Sequence, residues 1–249
     1  MNGNPIFLSS NYLRLSTAII TVSTGSSSKS KLYDRDKNTQ WSSVGSNDTI
    51  TESIEVDFGV SKQIDTLLLQ NINLKNFKLQ YWTGSAWADV TGVAETTWAN
   101  NYYYKEFTAI TTQKVKLLMY STQTANQEKK VGEMWVMLKK YEIPDPNTFK
   151  FKPENIEING YYRLGDGTQE SWYIKSKWSN KIPFEYLSQS VTDSLKSIYD
   201  EHSAFTIYPE PIEKPSECYE VNWTSKWNAY YVDTIKGNGY NLDMNVEEI

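Results

Sequence analysis

Cysteine and histidine are nearly missing from this chain: its 249 residues hold one of each, Cys218 and His202. A lone thiol excludes an intrachain disulfide and any zinc site built from several thiolates. A disulfide-free chain also suits folding in the cytoplasm. No apolar run is long enough for a transmembrane helix, so membrane insertion is not expected. Met1-Asn2-Gly3-Asn4-Pro5 lacks the basic and apolar regions of a signal peptide. The expectation is a protein made and assembled inside a cell, or one from which a leader was trimmed. A basic excess is lacking too. The net charge is −5, split into +2 over residues 1–143 and −7 over 144–249. Neither part is basic enough to follow a phosphate backbone, which excludes nucleic acid as a partner.

Aromatics are plentiful. They make up 14% of the residues, with 9 Trp and 18 Tyr, against a hydrophobic total of 39%. Such rings combine a large apolar body with a polar handle, a composition that fits short twisted strands. The Pro144-Asp145-Pro146 run forbids regular pairing and forces an extended linker. The expected division is a first domain over 1–143, a linker over 144–152 and a second domain over 153–249. Residues 53–58 alternate with period two, as a half-buried strand does, and 63–69 and 77–82 read as further strands. Thr83-Gly84-Ser85-Ala86 reads as a hairpin turn into 87–90. With 102–107, 114–119 and 133–138, seven or eight short strands predict a β-sandwich.

The second domain reads as β-rich with one helix over about 190–202. Val191, Leu195, Ile198 and Tyr199 share a face, and Asp193 is placed in the first turn, where negative charge suits the helix dipole. Strands are expected at 156–160, 172–178, 205–209, 219–223 and 240–246. The fold class is therefore mainly β: a sandwich followed by a smaller β-rich domain with one helix.

Leu32-Tyr33-Asp34-Arg35-Asp36-Lys37-Asn38-Thr39-Gln40-Trp41, followed by Ile54-Glu55-Val56-Asp57-Phe58-Gly59, resembles the opening of discoidin (F5/8 type C, galactose-binding-like) domains. The strands at 64–69, 75–80, 104–107 and 114–117, the Gly84–Val90 stretch and Val131-Gly132-Glu133 follow in the family's order. The resemblance implies a jelly-roll β-sandwich used for binding. It also implies a structural calcium held by carbonyls and by Asp34, Asp36, Thr39 and Glu133, oxygen donors of the type this hard cation prefers. The departure is Arg35, which adds positive charge where the family has a permissive glycine. Without a metal, Asp34 and Asp36 would be turn residues capping their own backbone. Trp41 and Trp87 match family positions that pack the core.

In the second domain, Pro183–Leu187, His202–Pro211, Tyr219–Trp223 and the ending at 239–248 resemble bacteriophage tail proteins of the distal-tail and tail-tube type. That implies a β-sandwich or split barrel with one helix, assembled into rings.

For a ligand, Trp98, Asn100, Asn101 and Tyr103 are the candidates, since sugar faces stack on rings and amides read hydroxyls. Alternating tyrosines here also suit a strand half turned to the core. The discoidin resemblance implies that the loops at 23–31 and 43–49 would join the cluster. His202 falls at the helix end, where a cation or C-cap is favourable; no recognisable nucleophile motif accompanies it. Cys218 has no basic sequence neighbours to activate it. Gly165-Asp166-Gly167-Thr168 lacks the Gly-Lys-Ser/Thr of a phosphate loop and reads as a hairpin turn. The run from Trp223 to Tyr231 is either a subunit interface or local core.

These features point away from an enzyme. They suggest a virion tail or baseplate structural protein, assembled in the host cytoplasm. Its partners would be other tail proteins, further copies of itself in a ring, and a host-surface glycan. The alternative is a bacterial carbohydrate-binding module of a cell-surface or glycan-degrading system.

Overall fold

The computed structural model describes residues 4–144, 151–152, 154–163, 165–166, 168–211, 213–234 and 237–249. It is mainly β and divides into two compact units: one of residues 8–139 with 214–216, the other of 1–7, 140–213 and 217–249. The expected boundary at 143/144 differs from this division at both termini of the sandwich. Most of the expected linker, 145–150, lies outside the described residues.

The strands in chain order are β1 (Ile6–Ser9), β2 (Ile19–Val22), β3 (Trp41–Ser42), β4 (Glu52–Gln70), β5 (Leu74–Trp82), β6 (Trp87–Glu95), β7 (Tyr102–Thr122), β8 (Lys130–Val131), β9 (Glu133–Met137) and β10 (Lys139–Glu142). In the first unit the sheet order is β2-β4-β7-β5-β6, β9 also pairs with β4 over Thr66–Gln70, and β3 pairs with β8. The sequence predicts separate strands at 53–58 and 63–69; the chain makes one long β4 that turns a corner. Before the corner Asp57 pairs with Lys114, and after it Lys62 pairs with Thr112. The corner lies at Asp57-Phe58-Gly59. Gly59 adopts φ +78°, and Asp57 Oδ1 accepts from its N–H at 2.9 Å. A Cβ at 59 would fall 2.9 Å from the Thr17 Cβ, so this corner requires glycine. Likewise the expected strands at 102–107 and 114–119 are two arms of the bent β7.

Alternation then decides what is buried. Ile54, Val56 and Phe58 are fully buried, while Glu55 and Asp57 face outward and pair with Lys116 (3.0 Å) and Lys114 (2.9 Å) directly across on β7. Trp41 lies in the core, as expected. Trp87 does not: it is half-buried on the sheet surface, edge-on to Trp82 with Lys116 Nζ 4.0 Å from its ring centroid. It sits at the mouth of the 83–86 hairpin, too near the sheet's edge to be covered.

The second unit adds β11 (Glu154–Arg163), β12 (Gln169–Leu187), α1 (Gln189–Asp200), β13 (Phe205–Tyr208), β14 (Tyr219–Trp223), β15 (Tyr230–Thr234) and β16 (Gly237–Glu248). Its sheet runs β10-β1-β13-β14-β16-β12-β11, with β15 also on β16. β1 starts as part of this sheet, which is why residues 1–7 group here. β12 pairs with β16 only from Ser179 onward; among the described residues, 169–178 pair with β11 alone and form a two-stranded arm. The turn of that arm contains Asp166, whose Oδ1 accepts from Thr168 N at 2.8 Å, in keeping with the hairpin reading.

Helix α1 starts earlier than expected because Ser188 is its N-cap, accepting from Val191 N. Asp193 consequently falls beyond the first turn. Leu195 and Ile198 are buried, and His202, at φ +47°, donates its N–H to Tyr199 O in a left-handed stop. Trp223 and Trp227 stack around Tyr199, which resolves that run toward local core; Tyr230 and Tyr231 stay exposed. Cys218 is buried. No helix among the described residues is long and apolar enough to cross a membrane.

Candidate functional site

Because β4 and β7 both fold back at the corner, their ends meet at the opposite pole of the sandwich. Glu52 pairs with Met119, Gln70 with Tyr102, and Leu74 of β5 with Thr122. The loops 43–51, 71–73, 96–101 and 123–129 therefore gather at one end. Hydrogen bonds tie them together. Ile72 N donates to Asn101 O (2.8 Å), Gln123 Nε2 to Asn100 O (2.8 Å), and Asn73 Nδ2 to Glu128 O (2.8 Å).

Here a polar cleft of about 420 Å³ opens, lined by Lys37, Asn38, Gln70, Asn71, Asn101, Glu133 and Ser216. Gln70 is its buried floor. Its Nε2 donates to Ser216 O at 3.3 Å, while its Oε1, also buried, has no partner among the described residues. Lys37 Nζ donates to the same Ser216 carbonyl at 2.7 Å. Amides that donate and accept, beside a cation, suit a hydroxyl-rich ligand.

The four expected ligand residues are split by the fold. Asn101 lines the cleft. Asn100 is exposed nearby, its carbonyl held by Gln123. Tyr103 is only 1% exposed and packs edge-on between Phe77 and Trp98 at 5.0 Å from each, so it has no face to offer a ligand. Burial, then the charge of Glu95, pushes its hydroxyl pKa up. Trp98 is half-buried against the core, with Nε1 donating to Tyr102 O at 2.9 Å. The aromatic members of the set thus support the loop from beneath.

Sequence reasoning missed Gln70, Asn71, Lys37 and Asn38. One signal existed: Gln70 closes the apolar run Leu67-Leu68-Leu69, where a polar side chain has to find a partner. It also missed Lys129, which is fully buried. Its Nζ donates to Ser46 Oγ (3.1 Å), Ile50 O (2.8 Å) and Asn47 O, holding the 43–50 loop from inside. Burial lowers its pKa, with Asp48 and Glu52 opposing.

Asp48 clamps the same loop to 122–126. Its carboxylate accepts from Asn126 N, Thr122 N and Thr122 Oγ1, all at 3.0 Å. The Asn126 N–H, with the Thr122 donors and against the cost of burial, holds its pKa below the ordinary range. A depressed carboxyl pKa stabilises the fold above the unfolded-state value of about 3.9 and loses that contribution as pH falls through the folded value. Asp48→Asn should therefore cost about 1–3 kcal/mol at neutral pH. In urea titrations the gap to the wild type should narrow as pH falls below about 4. A gap constant with pH would remove the ionised clamp.

The expected calcium ligands fall close together but are already engaged. Asp34 Oδ1 accepts from Asp36 N (3.0 Å) and Oδ2 from Thr39 Oγ1 (2.8 Å), with Lys31 Nζ 3.4 Å away. Burial raises the Asp34 pKa, and the Asp36 N–H, Thr39 and Lys31 outweigh it, for a net lowering. Asp36 Oδ1 accepts from Asn38 N (2.9 Å), an Asx turn. Glu133 Oε1 accepts from Arg35 N (2.6 Å) and Oε2 from Arg14 Nη2 (2.8 Å). Burial pushes the Glu133 carboxyl up to about 7, against the pull of Arg14 and the Arg35 N–H. Calcium takes about six to eight oxygens. No group of three acidic, histidine or cysteine side chains converges for a metal among the described residues. The donor set does not fit the ion. Arg35 itself adopts φ +66°, the left-handed conformation a glycine would favour.

The first unit is a β-sandwich whose loops gather at one pole. Residues 16–135 match the model of the F5/8 type C domain family, and the N-terminal unit carries this domain. No curated protein sequence matches the chain. Among solved structures it is similar to CpGH89CBM32-6 produced by Clostridium perfringens, at 17% identity and TM-score 0.43 over 53% of this chain and 98% of that one. A chitosan-binding module 2 in complex with chitotriose, from a chitosanase/glucanase of Paenibacillus sp. IK-5, is 19% identical at TM-score 0.42, over 50% of this chain and 98% of that one. A putative alpha-L-fucosidase from Bacteroides thetaiotaomicron is 14% identical at TM-score 0.45, over 52% of this chain but only 29% of that one.

Proposed function

We propose that the F5/8 type C unit is a glycan-binding module that presents its amide-lined cleft to a surface saccharide, and that the chain performs no catalysis. The observation that carries this is the cleft itself, above all the buried, unpartnered Gln70 Oε1 beside Asn101. A sugar hydroxyl donating to Gln70 Oε1 would relieve a buried acceptor, and Asn71 and Asn101 can read neighbouring hydroxyls. Gln70→Ala and Asn101→Ala should each weaken binding on a glycan array about tenfold or more, and the exposed Asn101→Ala should leave the melting temperature nearly unchanged. Wild-type binding that neither variant alters would place the ligand elsewhere.

The assembly we propose for it is a bacteriophage tail or baseplate, in which the C-terminal unit joins copies into a ring. The arm of β11 with residues 169–178, paired to nothing else among the described residues, supports this, because such edges are ready to accept another strand. Ring assembly would turn weak single sites into avidity. Sedimentation should show an oligomer; a monomer at all concentrations would favour a bacterial carbohydrate-binding module of a cell-surface or glycan-degrading system instead.

A further inference from the structure

A further guanidinium, from outside the loop at 33–39, reaches that loop's backbone. Asn11 caps the short turn Tyr12–Arg14 and fixes it to β9, donating to Met134 O (2.9 Å) and accepting from Leu13 N (3.1 Å) and Val136 N (3.2 Å). Arg14 is thereby held beside alternate residues of that strand. Its Nη2 donates to Glu133 Oε2 at 2.8 Å and its Cζ stands 4.2 Å from the Trp135 ring centroid. Its Nε donates to the Tyr33 carbonyl at 3.0 Å, at the mouth of the acidic loop. The Arg14 and Glu133 side chains are 8% and 2% exposed. A backbone carbonyl and a buried carboxylate from opposite ends of the domain are the kind of oxygens that would face a divalent ion. Here they face a guanidinium.

We propose that Arg14 is a built-in replacement for a structural divalent cation, so that this domain closes its loop without calcium. A guanidinium stays charged at any working pH and binds a carboxylate through directed N–H bonds. It therefore ties Glu133 and Tyr33 together as an ion would. Lys31 gives Asp34 its own counter-charge, and Arg35 N takes the remaining oxygen of Glu133. An ion entering here would meet Arg14 at close range and have to displace those N–H donors.

The test uses the full chain. Wild-type melting temperature should be the same, within about 1 °C, in excess EDTA and in excess calcium, and terbium should give no emission on tryptophan excitation. Arg14→Met should melt roughly 5–15 °C lower, as expected for a buried carboxylate left unpaired. That variant should then recover part of the loss in calcium and gain terbium emission. A wild-type protein that calcium stabilises by several degrees overturns the proposal, whether or not the variant folds. An Arg14→Met protein that folds with an unchanged melting temperature overturns it too.

Discussion

Lys129→Met should lower stability by about 2–4 kcal/mol, because it removes a hydrogen-bonded buried cation and strands its acceptors. On a chain of this size that is a fall of roughly 5–15 °C in melting temperature. The side chain is fully buried and its ammonium serves Ser46, Asn47 and Ile50 at once. Methionine fills the space but offers no donor, leaving the Asn47 and Ile50 carbonyls to find water by moving. Loop 43–50 should loosen first, so hydrogen exchange at 43–50 should rise more than elsewhere. Lys130→Met beside it, half-buried, serves as the control. Equal exchange across the domain would mean that Lys129 is a core filler and no anchor.

The second large effect belongs to Glu133. Glu133→Ala should cost about 3–5 kcal/mol, since it leaves the Arg14 guanidinium buried without its carboxylate. The double variant with Arg14→Met should cost far less than the sum of the two single changes, because the second removes the charge the first has orphaned. Urea unfolding of the four proteins gives the coupling directly. Additive losses would mean that the two residues act independently, despite the 2.8 Å contact.

The two effects share a physical pattern. In both, one long basic side chain comes from a segment distant in sequence and satisfies oxygens of a loop that lacks regular structure. The loops gathered at this pole are short of secondary-structure hydrogen bonds of their own, so their geometry rests on Lys129, Asp48, Arg14 and Asn73. A pole organised in this way is preformed, which limits what a ligand must order on binding.

The sequence by itself determined the mainly β class, the sandwich, the F5/8 type C resemblance, the 83–86 turn and the helix near residue 190. Each of these is written in local periodicity or turn chemistry: alternation at 53–58, glycine at 84, a single apolar helical face. What only the tertiary structure decided is which polar residues are buried, and against what. Tyr103 looked like a ligand platform because a tyrosine in an alternating stretch has even odds of facing in or out; in the fold it faces inward, against Phe77 and Trp98. Lys129 reads as one more charge in Glu128-Lys129-Lys130, and Arg14 as an isolated surface cation, because the Ile50 carbonyl and the Glu133 carboxylate they serve lie about 80 and 120 residues away in the chain. Gln70 and Asn101 come together only because β4 and β7 fold back at Gly59 and Thr112, which brings their ends to one pole. Period and spacing carry information over a few residues; a cleft and its charges are set by strand pairing across the whole domain.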